Sequence, residues 1–171
     1  MAEKIGPFFG KDLNEADGLN IEGVAVIDEQ LIVGLRAPVI SSKAFLISVD
    51  LELLFSPVSS RPMGHVRPIP LPLGPHAGVR DLAVISDRKL LVLTGPAQEQ
   101  ENVPSSFFLV DLNLPSSAIH LATLRPIVED DSRGKAEGVA VLDRNDDSVR
   151  VLVMFDGLPG GGPREYVIPL H

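Results

Sequence analysis

The sequence predicts an all-β fold assembled from three copies of one antiparallel meander. Three observations carry this. An acid-led apolar phrase recurs three times, at Asn20-Ile21-Glu22-Gly23-Val24-Ala25-Val26-Ile27, Val79-Arg80-Asp81-Leu82-Ala83-Val84-Ile85 and Lys135-Ala136-Glu137-Gly138-Val139-Ala140-Val141-Leu142. A second apolar run of strand length follows each copy and ends in glycine or proline. Turn formers are abundant, with 15 Gly and 15 Pro, while aromatics are only 5%, a balance that favours many short strands joined by turns.

The elements follow in order. The acids fall at 22, 81 and 137, so the repeats are 59 and 56 residues apart, slightly longer than the ~40 to 50 of common four-stranded repeats. The second strands are Leu31–Pro38, Leu90–Pro96 and Val149–Gly157, reached through short hairpins at Asp28-Glu29-Gln30 and Ser86-Asp87-Arg88-Lys89. Third strands read at Ala44–Val49, Ser106–Asp111 and Glu165–Ile168. Fourth strands are expected around Glu52–Phe55 with its proline-laden extension, and at Ala118–Leu124. Pro62, Pro68, Pro70, Pro72 and Pro75 sit in that extension, where an edge strand and loop accept residues with no N–H. The third unit stops after three strands, and Lys4-Ile5-Gly6-Pro7-Phe8-Phe9 is the candidate for its outer strand, in this chain or a partner.

The first two strands of each unit are almost continuously apolar, as strands covered on both faces are. Blades of a β-propeller meet that condition, because each packs between neighbours. A β-sandwich is the alternative, but it would not explain matched acid-led strands. The expected architecture is therefore a β-propeller with three four-stranded antiparallel blades per chain, residues 1–171 forming a single half-propeller domain. Rings have about four to eight blades, so a homodimer about a twofold axis is expected to complete six.

Bulk properties exclude several classes of function. A net charge of -8 gives no footprint for nucleic acid or an anionic membrane. No apolar run approaches the ~18 residues of a span, and Met1–Gly6 lacks the form of a secretory signal, so a soluble cytoplasmic protein is expected. Cysteine is absent, leaving only oxygen and histidine ligands for any metal.

In an antiparallel meander the start of the first strand and the end of the second share one edge, which in a propeller faces the central channel. Pairing Ile27 with Leu31 sets Glu22 opposite Arg36; pairing Ile85 with Leu90 sets Asp81 opposite Thr94; Glu137 falls near Met154–Asp156. The channel face is thus expected to collect Glu22, Asp81 and Glu137, with Arg36, Asp156, Asn20, Arg80 and Lys135 nearby. One reading makes the three acids ligands of a divalent cation such as Ca2+, with Arg36, Arg80 and Asp156 contacting a small-molecule ligand. The other makes Arg36, Arg80 and Lys135 their counter-ions, in cross-strand pairs that fill the channel. His65, His76, His120 and His171 show no ligand spacing, although His76 stands five residues before Asp81. Gly157–Pro163 lacks the features of a phosphate loop and reads as a mobile loop over the channel face. No Gly-x-Ser-x-Gly elbow is present.

The phrases led by Glu22, Asp81 and Glu137, with Gly34-Leu35-Arg36-Ala37-Pro38, resemble those of a bacterial β-propeller family of unknown function, over about residues 18 to 170. Members of that family are longer, which implies that this chain corresponds to their C-terminal half. More distantly, the Glu-Gly-Val-Ala phrases are similar to those of phytase-like esterase and calcium-dependent lactonase propellers. That similarity implies metal binding at Glu22 and Glu137. Two functions are therefore expected: a ligand- or partner-binding module at the channel face, or a metal-dependent hydrolase of an ester, lactone or phosphoester.

Overall fold

The computed structural model describes residues 5–55 and 66–171. Its strands form three four-stranded antiparallel sheets, an arrangement compatible with successive propeller blades. Sheet one is β1 (Asn20–Ile27), β2 (Gln30–Ile40), β3 (Lys43–Asp50) and β4 (Arg67–Leu71). Sheet two is β5 (Ala77–Ser86), β6 (Lys89–Pro96), β7 (Ser106–Asp111) and β8 (Ile119–Thr123). Sheet three holds β9 (Ile127–Glu129), β10 (Ser132–Arg144), β11 (Ser148–Asp156) and β12 (Arg164–Pro169), in the order β12-β11-β10-β9.

Local chemistry explains where the strands depart from expectation. Leu51–Phe55 is a short helix rather than a fourth strand, consistent with a Leu-Glu-Leu-Leu segment that contains good helix formers and no β-branched residue. The fourth strand lies in the proline-bearing extension instead. Pro68 and Pro70 alternate along β4, opposite Ile47 and Phe45, so both missing N–H groups belong to the same side of this edge strand. Pro62 lies outside the described residues.

The N-terminal segment does not supply the outer strand expected for the third unit. Gly6–Phe8 is a 3-10 turn, not a strand, and the fourth strand of sheet three, β9, lies at the opposite edge from the expected one, pairing with Ser132–Gly134 at the start of β10 rather than with β12. Proline at position 7 fits the first turn of a helix, where its missing N–H costs nothing. Ile5 instead packs with Leu35 and Phe45 on the outward face of sheet one.

Packing between sheets is continuous along the stack. Sheet one meets sheet two through Ile32, Leu46, Leu71, Val79, Leu90 and Val92. Sheet two meets sheet three through Leu91, Leu93, Phe107, Val149, Val151 and Val153. Alternate residues of β6 thus enter different cores, and Leu90–Gly95 is buried throughout, which accounts for its unbroken apolar sequence. Close approach of the sheets depends on glycine: a Cβ on Gly34 would stand 2.4 Å from Val79 Cγ1.

Candidate functional site

The hairpin turns determine where the acids stand. Asp28 and Glu29 both adopt positive φ, 48° and 60°, and close a two-residue loop in which Ile27 pairs with Gln30. The expected pairing of Ile27 with Leu31 is therefore off by one residue. Further along, each ladder slips at the acid-led phrase. Glu22 is the unpaired residue between Ile21 and Gly23, Arg80 between Val79 and Asp81, and Glu137 between Ala136 and Gly138. Arg36 is likewise the extra residue of β2, between the partners of Asn20 and Ile21. A bulge re-aims its side chain, and these four converge.

Arg80 is the centre of the convergence. Its side chain is only 2% exposed, yet its guanidinium reaches Glu22 Oε2 at 2.7 Å and Glu137 Oε1 at 3.0 Å, tying three sheets together. Its stem runs over Gly95, where a Cβ would lie 3.1 Å from Arg80 Cγ and 3.2 Å from Nε. Arg36 completes the cluster, donating through NH1 to Glu22 Oε1 at 2.9 Å and through Nε to the Ala97 carbonyl at 3.0 Å. Among the described residues, Arg80 Nε and Asn20 Oδ1 are buried with no hydrogen-bond partner.

Asp81 departs from the expected site. It pairs with Leu93, not Thr94, because Ile85 is an extra residue between Val84 and Ser86 and shifts the ladder by one position before Asp81 is reached. Its Oδ1 accepts the Leu82 N–H at 2.8 Å and its Oδ2 the Val139 N–H at 2.7 Å, a stitch between sheets two and three. Burial pushes its carboxyl above the ordinary aspartate range, against the lowering effect of those two N–H groups. Asp156 stands exposed at the end of β11, opposite Lys135 in the ladder. His76 is exposed in a turn and contributes its carbonyl to the Ala97 N–H. His120 packs edge-on to Phe108, His171 is exposed at the chain end, and His65 lies outside the described residues.

The donor set does not fit a divalent ion. Both oxygens of Glu22 and one of Glu137 are taken by guanidinium groups, and both oxygens of Asp81 by backbone N–H groups. Among the described residues, no group of three or more His, Asp or Glu could hold a metal. Arg36 and Arg80 are counter-ions of Glu22 and Glu137, whereas Asp81 is held by backbone N–H groups and Lys135, expected as the third counter-ion, makes no ion pair among the described residues.

Beside the cluster, at the same end of the sheets, a cleft of about 510 Å³ opens between sheets two and three. One wall is the β6–β7 loop, including Gln98, Glu99, Gln100 and Glu101. Gln98 is held from the N-terminal segment, its Nε2 donating to Asp17 Oδ1 at 2.6 Å and to the Leu13 carbonyl at 3.2 Å. The opposite side carries Arg125, Arg133 and Lys135, and the lining includes Leu124 and Phe155, both of which belong to the core. The Gly157–Pro163 segment makes a 3-10 turn at Pro159–Gly161, anchored by buried Leu158. Arg125 and Arg133 carry no repeat signature, and sequence reasoning passed over them for that reason.

No curated protein and no solved structure matches the chain. Residues 3–161 match the family described as "Protein of unknown function (DUF3616)", and the chain belongs to that family.

Proposed function

We propose that this chain is a non-catalytic binding module that takes a small ligand at the loop-bearing end of sheets two and three. The observation that carries the reading is the Glu22–Arg80–Glu137 frame. With Arg36, its charges are spent on one another across three sheets, which makes it a brace, while the cleft beside it remains open and within the ~300 to 1,000 Å³ of small-molecule sites.

The alternative is a metal-dependent hydrolase of an ester, lactone or phosphoester, with Ca2+ held by Glu22, Asp81 and Glu137. Calorimetric titration with calcium separates the two. The binding-module reading expects no stoichiometric calcium site. A one-to-one site abolished by both Glu22→Gln and Glu137→Gln would overturn it in favour of the hydrolase.

We also propose that a second copy completes a six-bladed ring, with these ends of the strands lining its channel. Supporting this, the outward face of sheet one carries two apolar cross-strand rows, Val26-Leu31-Val49 and Val24-Val33-Ile47. Val24 and Val26 are 54% and 52% exposed, although their sequence is that of a covered strand. A twofold axis would set this face against Leu152, Met154 and Val167 on the outward side of sheet three.

A further inference from the structure

We infer that the cleft between sheets two and three binds a small organic anion of single charge with an apolar body. The inference rests on the binding-module reading and adds the class of ligand. Arg36, Arg80, Arg88, Arg150 and Arg164 each pair with a carboxylate. The cations of the cleft do not. Among the described residues Arg125 and Lys135 make no ion pair, and Arg133 donates only to the Glu101 carbonyl, at 3.4 Å. In a chain of net charge -8, this concave site gathers three cations without carboxylate partners against two acids, Glu99 and Glu101, so its lining is net positive.

Three features define what fits. Arg125 lies just after β8, while Arg133 and Lys135 alternate on β10, so a sulfonate, carboxylate or phosphate diester can meet donors from two elements. Val103 and the flanking prolines Pro96 and Pro104, over the edges of the core residues Leu124 and Phe155, supply apolar surface for the ligand body. Glu99 and Glu101 line the loop side, and their charges offset two of the three cations. A singly charged ligand is therefore favoured over a polyanion, which the two carboxylates would repel.

Two fluorescent probes test this: anilinonaphthalene sulfonate, which is anionic, and N-phenyl-naphthylamine, its uncharged relative. Both are titrated into the intact chain, into Arg133→Gln/Lys135→Gln, and into Asn102→Trp, which places a bulky ring at the cleft. Val24→Thr/Val26→Thr identifies signal arising from the apolar face of sheet one. The expected result is one sulfonate site per chain in the cleft, weakened about tenfold by the double charge variant and further by added salt, with the neutral probe indifferent to both. If Asn102→Trp excludes both probes but the charge variant leaves sulfonate affinity unchanged, the anion assignment is overturned and the binding-module reading stands. If Asn102→Trp affects neither probe, the cleft is not the site and both readings fail.

Discussion

Arg80 and Asp81 are neighbours in sequence with opposite tasks, and the slip in the β5 ladder separates them. Arg80 faces two carboxylates from other sheets. Arg80→Met keeps the stem over Gly95 but leaves Glu22 and Glu137 without their shared counter-ion. The expected cost is about 3 kcal/mol, at the low end for breaking a buried pair because both acids keep some contact with solvent. Urea denaturation measures it, and a cost below that of Glu137→Gln would contradict the brace. Asp81→Ala leaves the Leu82 and Val139 N–H groups without their carboxylate acceptor, for an expected loss of about 1 to 3 kcal/mol. The pH dependence follows from the raised carboxyl. The folded protein holds this proton more tightly than the unfolded chain does. That contribution is fully present below the ordinary aspartate value and is lost as pH rises through the raised one. Wild-type stability relative to Asp81→Ala should therefore decline across that window; a rising difference would show that the hydrogen bonds outweigh burial.

At the scale of elements, sheet-to-sheet distance is set by residues without side chains. Gly34 on β2 lies against Val79 on β5, and a methyl group at Gly34 would overlap Val79 Cγ1. Gly34→Ala should cost about 1 to 3 kcal/mol by forcing sheets one and two apart. Val79→Ala in the same chain should recover part of that loss, since it removes the clashing methyls. The double-mutant cycle by thermal or urea melting reads this coupling, and strict additivity would mean that the two positions do not meet. Hairpins matter at the same scale. Positive φ at Asp28-Glu29, Ser41-Ser42 and Asp130-Asp131 keeps those loops to two residues, and this sets the register that the bulges then shift.

For the whole molecule, the unequal outward faces of the stack predict assembly. Sheet three presents Arg150 paired with Asp143 and Glu165, beside the exposed apolar Met154 and Val167 that the twofold would cover. Sheet one presents the bare Val24 and Val26 rows, covered at one end by Ile5. Light scattering at micromolar concentration should give about twice 18.3 kDa, and Val24→Lys/Val26→Lys should return the mass to that of one chain, because burying two ammonium groups in an apolar interface is prohibitive. A wild-type chain that stays monomeric would sink the two-copy ring.

Much of this was legible in the sequence. The three acid-led phrases, their apolar followers and the third strands mark the repeats, because β-strand periodicity and turn chemistry are local. β7 was located to the residue and β8 to within one at each end. The convergence of Glu22, Arg36, Arg80 and Glu137 was legible only as a shared edge. Tertiary structure decided which side chains meet there, since a single extra residue in a ladder reverses the face a side chain takes, and composition cannot report a bulge. It also decided that Asp81 would stitch two sheets, that β9 would join sheet three at its β10 edge, and that Arg125 and Arg133 would meet in one cleft. Each depends on contacts between stretches distant in sequence, where packing and backbone hydrogen bonding outweigh local preference.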